Sequence, residues 1–419
     1  MLGLRSIMIY RTAGIILGVL TAGVLPNPRA QAVELKGRLT SDAYIYEEDG
    51  ESHFRPYERL RADLTAWREA DNRSLLFHTY LRWTSDLAHK RATDPQTYVY
   101  DTYVKLTGIP EGATFSLGRQ FVYTSAGSSL LDGIRSRFQP VRRIQVDIFG
   151  GSNVSALDPE KIQPFADFAV IGSRVSFQVK TSSRLGLNWM LRRSEGSTTL
   201  HRGAVDGETS ITGARLYGRL AYNLANMRVA ELLMRASYAR SKWIVSGEFD
   251  WREPSVSSNS LFSLIDFHRY QVFRLDLQRS VWRQLAAVAQ LHLGIFKDDN
   301  SWRTAFGLRA GAYSVLWQHQ QGYGGQNDAM VGYCTVRLTT QWECFASANM
   351  GRYRVQDEQD DRSDAYAANL GVRWRPGMGL IFQAEGQYLR NAVQSRDIRG
   401  NLRISKDFSL GKDMGNGVL

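Results

Sequence analysis

Along most of this chain apolar and polar side chains alternate one by one. In the stretch Arg59 to Trp67, Leu60, Ala62, Leu64 and Ala66 share one face while Arg59, Arg61, Asp63 and Thr65 share the other. Leu185, Leu187, Trp189 and Leu191 alternate with Arg184, Gly186, Asn188, Met190 and Arg192. Near the end, Ile398, Gly400, Leu402 and Ile404 alternate with Arg399, Asn401, Arg403 and Ser405. Successive side chains of a strand point to opposite faces, so a period of two predicts half-buried strands. Starts fall near residues 34, 57, 74, 97, 114, 143, 167, 184, 210, 229, 243, 270, 285, 302, 313, 330, 341, 365, 379 and 397. Val229–Arg240 is the one helix-like segment, and it alternates too.

The connections separate into two kinds. Ala70-Asp71-Asn72, Ile109 to Gly112, Thr181-Ser182-Ser183 and Pro376 to Gly379 are tight. The stretches EEDGESHF, LAHKRATDP, SEGSTTLHRGAVDGE, REPSVSSNSLFSLID and QDEQDDRS read as long polar loops. Long strands with tight turns at one end and long loops at the other predict a transmembrane, antiparallel, up-and-down β-barrel. A soluble sandwich uses shorter strands, and a propeller repeats every 40 to 50 residues or so; neither pattern is found. The aromatic count of 10 Trp, 19 Tyr and 18 Phe, many near strand ends, suits interfacial girdles. The expectation is an all-β barrel of 16–20 strands, with 18 favoured. One region stays open: Leu130–Phe138 reads as a strand or as a loop.

Residues 1–32 read as a cleaved signal peptide. Arg5 and Arg11 precede an apolar run from Ala13 to Leu25, and Ala30-Gln31-Ala32 is a cleavage site. No later run approaches the 18 apolar residues a membrane helix needs. The barrel is assigned to residues 33–410 and a short tail to 411–419. A bacterial outer membrane is the expected location, which makes outer-membrane lipid and lipopolysaccharide partners. The formal charge of +11 favours anionic solutes, and export excludes nucleic acid.

With apolar side chains toward lipid, the polar face would line the lumen. That face carries Arg59, Arg61, Arg82, Arg184, Arg192, Arg215, Arg219, Arg274, Arg309, Arg399 and Arg403 as expected pore-lining residues. Asp63, Asp147, Glu231, Glu248 and Glu385 share it. Two readings stand: arginine–carboxylate pairs brace the wall, or surplus guanidinium sets a field that favours anions. Thr124 to Pro140, with Asp132, Arg135 and Arg137, is either a surface loop or a constriction loop folded into the lumen.

Leu117-Gly118-Arg119-Gln120, a loop of small residues, and then Leu131-Asp132-Gly133-Ile134-Arg135 resemble porin-type outer-membrane barrels related to alginate-export proteins. The resemblance implies an 18-stranded barrel that passes anionic solute between channel arginines. It is close only around Leu117–Arg135. The sequence departs from the pattern at its end, where SLGKDMGNGVL follows Phe408 instead of a terminal aromatic.

Neither an enzyme nor a cofactor is expected. The seven histidines show no metal-ligand spacing, and C-x-x-C-H and G-x-S-x-G are absent. His78 and His292 fall on the polar face without a recognisable partner. The two cysteines, Cys334 and Cys344, flank Leu338-Thr339-Thr340. A tight hairpin there sets Cys334 opposite Cys344 and Val336 opposite Trp342 on the apolar face, where a disulfide could form. Two function classes follow: a channel for diffusion or export of small anionic solutes, or a barrel sleeve housing a periplasmic or lumenal protein partner. That partner would be a multihaem cytochrome or a polysaccharide-export component.

Overall fold

The computed structural model describes residues 34–48, 50–69, 72–88, 95–155, 159–254, 268–354, 362–393 and 395–411. The segment expected to be cleaved and nearly all of the expected tail lie outside them. The described residues form 22 strands. They begin with β1 (Glu34–Glu48), β2 (Glu51–Arg68), β3 (Ser74–Thr84), β4 (Gln96–Thr107), β5 (Ala113–Thr124), β6 (Gly127–Val141) and β7 (Ile144–Asn153). Next come β8 (Ala169–Lys180), β9 (Ser183–Ser194), β10 (Ser197–Ile211), β11 (Ala214–Asn223), β12 (Arg228–Arg240), β13 (Trp243–Arg252) and β14 (Tyr270–Trp282). The last are β15 (Leu285–Ile295), β16 (Asn300–Ala310), β17 (Tyr313–Gly322), β18 (Gln326–Arg337), β19 (Trp342–Arg354), β20 (Ser363–Gly377), β21 (Leu380–Arg390) and β22 (Asp397–Leu410).

Each strand pairs antiparallel with the next, and β22 pairs with β1 from Leu35 opposite Leu410 to Ile45 opposite Gly400. The sheet therefore closes and no edge strand remains. At a strand spacing of about 4.8 Å and a tilt near 40°, such a ring is about 45 Å across its backbone. The strand number corrects the expectation of 16–20 with 18 favoured, and two segments account for the strands that the twenty starts lack. Leu130–Phe138 belongs to β6. SEGSTTLHRGAVDGE is not a loop: a two-residue turn, Glu195-Gly196, joins β9 to β10. Both turn residues have positive φ, 52° and 76°, the type I′ pattern of hairpins. Alternation fails in β10 because Gly203 and Gly207 dilute its apolar face while Ala204 sits among the polar positions.

All the long connections lie at one end, as expected, but EEDGESHF, read as a long loop, belongs almost wholly to β1 and β2, which only residues 49 and 50 separate. After every even-numbered strand the turn is short, and most are two residues, such as Arg142-Arg143, Thr181-Ser182 and Met378-Gly379. The long connections, 85–95, 154–168, 253–269 and 355–362, all follow odd-numbered strands. Trp342, Trp374 and Phe382 stack side by side at the tight-turn end, with ring centroids 5.4 and 5.2 Å apart. Trp83, Trp251 and Trp302 stand near the opposite end.

The cysteine register is corrected by two residues. Cys334 lies opposite Ala346 and Cys344 opposite Val336, and both are free thiols. The loop is wider than a turn centred on Thr339: the Leu338 and Thr339 N–H groups donate to the Trp342 carbonyl, and Thr339 Oγ1 accepts from the N–H of Gln341 and of Trp342. An even shift leaves every side chain on its expected face. Mass spectrometry of the unreduced protein should accordingly recover Cys334 and Cys344 as two alkylatable thiols.

Glycines cross three strands in a row, Gly118 opposite Gly133 and Gly133 opposite Gly151. A Cβ on Gly133 would stand 2.1 Å from the Gly150 carbonyl oxygen and 2.6 Å from Gly151 Cα. Only hydrogen fits between these strands. Gly133→Ala should cost about 1–3 kcal/mol through forced backbone shifts, read as a lower midpoint in urea unfolding from vesicles. Gly332→Ala, which meets nothing within 4 Å, should leave the midpoint unchanged.

Candidate channel lumen

The β5–β6 hairpin leaves the wall partway along. β5 pairs with β4 only from Thr114 to Arg119, although β4 continues to Gln96 against β3. β6 follows β7 to its last residue, Leu131 opposite Asn153, and the Val154 N–H still donates to the Leu130 carbonyl at 2.9 Å. The departure point is built from the sequence motif noted above. Gly118 has φ 131°, and a Cβ there would lie 2.4 Å from the Thr102 carbonyl. Arg119 is buried and grips Asp132 through two hydrogen bonds, Nε to Oδ1 at 2.8 Å and Nη2 to Oδ2 at 2.7 Å. The Phe121 N–H, no longer in the ladder, donates to Asp101 Oδ1 at 3.0 Å. Gln120 Oε1 accepts from Ser116 Oγ at 2.6 Å.

Beyond this point the tip packs against β7 to β11. Val122, Ala126 and Leu131 bury with Phe149, Val170, Met190, Ala204 and Ala221, and Leu200 covers the edge. Polar contacts fix the tip's position. Ser125 Oγ donates to Asp206 Oδ1 at 2.7 Å, and Asn188 Nδ2 donates to the same oxygen at 2.7 Å. Tyr123 accepts at its hydroxyl from Arg219 Nη1 at 3.0 Å. A segment spanning from β5 to β11 in this way can do so only across the interior, so Asp206, Asn188, Met190 and Arg219 face inward. The ladders carry that assignment around the ring. Leu185, Leu187, Leu216 and Leu220, on the opposite face, are exposed to the outside.

The constriction expectation is thereby corrected in its residues. Asp132 holds Arg119 at the base. Arg135 and Arg137 lie on the wall and share Asp147, at 2.6 and 3.2 Å. The side chains that reach into the interior are those of the tip, Tyr123 to Ala126. Sequence reasoning missed the tip because Val122, Ala126 and Leu131 look like ordinary strand or loop residues. The glycine and arginine of L-G-R-Q were the available signal.

All of the arginines expected to line a pore lie on the inward face: Arg59, Arg61, Arg82, Arg184, Arg192, Arg215, Arg219, Arg274, Arg309, Arg399 and Arg403. They do not stand alone. Asp42 is clasped by Arg59 and Arg403, Glu231 by Arg219 and Arg252, Glu248 by Arg235 and Arg274. Glu208 lies between Arg184 at 3.5 Å and Arg215 at 3.4 Å, and Glu343 between Arg373 at 2.6 Å and Arg375 at 3.5 Å. One carboxylate between two guanidinium groups satisfies its oxygens and leaves a net positive charge. Among the described residues no carboxylate pairs with Arg61, Arg82, Arg192 or Arg309. Arg82 stands over the rings of Tyr57, Tyr98 and Tyr100, closest to Tyr98 at 4.3 Å. Bracing and surplus charge therefore coexist.

Two recesses open on this wall. One of about 580 Å³ lies beneath Tyr123, bordered by Arg219, Arg235, Arg252 and Arg274 with Glu248. The other, about 610 Å³, is bordered by Arg38, Arg59, Arg61 and Arg403 with Asp63 and Tyr80. His78 is buried, its Nδ1 2.6 Å from Asp63 Oδ1 and its ring stacked on Tyr103; His292 lies against Arg303. Among the described residues no three His, Cys, Asp or Glu side chains converge as a metal site.

No protein-family model matches the chain, and no curated protein matches it. Solved structures similar to it include Pseudomonas aeruginosa OccK1 (OpdK), at 9% identity over 90% of this chain and 98% of that one, with a TM-score of 0.45. Acinetobacter baumannii OccAB1 follows at 8% identity over 90% and 97%, TM-score 0.45. A BenF-like porin from Pseudomonas fluorescens Pf-5 shares 10% over 91% and 99%, TM-score 0.44.

Because Leu131 is fully buried at the root of the tip, Leu131→Ala should cost roughly 2–4 kcal/mol of local packing. Hydrogen exchange at residues 120–131 should then accelerate while the rest of the ladder keeps its protection.

Proposed function

We propose that this chain is an outer-membrane channel through which small anionic solutes diffuse or are exported. The observation that carries the reading is the inward wall itself. Arginines clasp Asp42, Asp147, Glu208, Glu231, Glu248 and Glu343 in pairs, and further arginines stand without a carboxylate, so the lumen keeps a positive field at any working pH. The closed ladder, the apolar outer face, the aromatic belts and the asymmetric loops support a bacterial outer-membrane location. In that setting the tight-turn mouth, where β1 begins and β22 ends, faces the periplasm. The inward tip narrows the passage and hangs Tyr123 beside the recess lined by Arg219 and Arg252.

The width of a 22-stranded ring also favours a second reading, a sleeve around a periplasmic or lumenal protein. Barrels of that size commonly hold a plug.

Purified protein in planar bilayers under a KCl gradient should give stepwise conductance with a reversal potential displaced toward that of chloride. Removing residues 124–128 should raise the conductance several-fold. Arg59→Gln with Arg61→Gln and Arg403→Gln should weaken the anion preference. A cation-selective barrel would refute the anion reading, and a silent one would favour the sleeve.

A further inference from the structure

The two mouths differ in charge. At the tight-turn mouth Arg142, Arg143, Lys180, Arg240, Lys242 and Arg283 stand exposed in four turns or at the strand ends beside them. Among the described residues no carboxylate pairs with any of the six. Just inside, Arg309 and Arg337 add exposed cations on the lumen face. Of the described carboxylates at this end, exposed Glu111 in the β4–β5 turn meets no cation, and the others are already engaged. Glu34 takes Lys36 and Arg68, Glu208 takes Arg184 and Arg215, and Asp407 takes Arg38 at 2.5 Å.

At the opposite mouth described charges of both signs are mixed: Arg193, Arg269, Arg390 and Arg396 are matched in number by Glu47, Glu195, Asp298 and Asp299, and others pair directly. Arg352 meets Asp364 at 2.9 Å, Arg362 meets Asp328 at 2.9 Å, and Arg228 meets Glu253 at 3.4 Å. The cationic surplus thus forms a collar at one end of the lumen.

We propose that this collar makes the channel rectify, so that anions pass more readily from the tight-turn mouth to the long-loop mouth than back. The inference rests on the channel reading above. A fixed positive zone at one mouth admits anions and holds back cations. When anions are driven in through the collar, cations drawn from the other mouth are stopped at it. Both ions then accumulate in the lumen and the conductance rises. With the polarity reversed both ions are withdrawn, the collar refuses cations to replace them, and the conductance falls. The effect requires the collar's field to span the passage. The screening length is about 30 Å at 0.01 M salt and about 3 Å at 1 M, so rectification belongs to low ionic strength. The collar would favour outward movement of anions from the periplasmic side.

The test is single-channel recording with the orientation known. Ser182→Cys, in a Cys334→Ala, Cys344→Ala background, marks the tight-turn mouth for a membrane-impermeant thiol reagent added from one side. In about 10 mM KCl and at about 100 mV, current that carries chloride in through the marked mouth should exceed the reverse by about twofold. The ratio should fall to one in about 1 M KCl. Arg142→Gln, Arg143→Gln, Lys180→Gln, Arg240→Gln, Lys242→Gln and Arg283→Gln combined should bring the low-salt ratio near one and leave the high-salt conductance unchanged. A symmetric current in low salt, rectification of opposite sense, or a ratio untouched by the six substitutions would overturn the collar. A protein with no conductance would instead overturn the channel reading, and the collar's role with it.

Discussion

The hydrogen-bonded ladder between β1 and β22 is the constraint on which everything else rests. It turns a row of hairpins into a ring and divides every side chain into inside or outside. A slip of one residue in any of its pairings would carry arginines to the outer surface and leucines to the lumen. The irregularities that do occur, at Thr65/Trp67, Ser280/Trp282 and Trp374/Gly377 among others, mostly lie near strand ends. Apart from the shift at Tyr80/Leu81, which leaves Tyr100 as an extra residue within β4, the central stretches of the strands keep their alternation. Arg59 and Arg403 can therefore meet over Asp42, although they are far apart in the chain, because closure brings β2, β1 and β22 side by side.

Within that ring the β5–β6 hairpin exchanges one set of backbone partners for another kind of contact. Where β5 departs from β4, the Val99 carbonyl accepts from Arg119 Nη1 at 3.4 Å, and the Phe121 amide finds Asp101. Backbone groups that leave a ladder need such replacements, since an unpaired buried one is costly. Burial of Val122, Ala126 and Leu131 on the inner wall offsets the lost pairing. Glycine at 118, 133 and 151 lets three strands approach closely enough for the bend.

Period two made the fold legible: the strands around Leu60, Leu187 and Leu402 fall where the alternation places them. The count was less legible. β10 hides because Gly203 and Gly207 weaken its outer face and Ala204, which packs under the tip, blurs its inner one. β6 hides because its first residues serve the lumen instead of the wall. The cysteine hairpin shows what alternation fixes and what it leaves free. Parity settled the face of Cys334 and Cys344, but only the hydrogen bonds of Thr339 settle where the turn is centred. The inward arginines were readable one by one, whereas their grouping around shared carboxylates depends on cross-strand register that no single strand encodes.

The hairpin also changes what a strand number means for this molecule. Counted at the level of the tight turns, the wall is a complete ring of 22 strands. Counted above Arg119, β5 has left β4 and gone indoors with the first residues of β6, and a notch remains beside β4 into which the Pro159 carbonyl reaches to accept from Arg119. Width, tilt and stagger are tied to strand number in a regular cylinder, but here they hold level by level. The barrel is a closed tube at one mouth and a slotted one at the other.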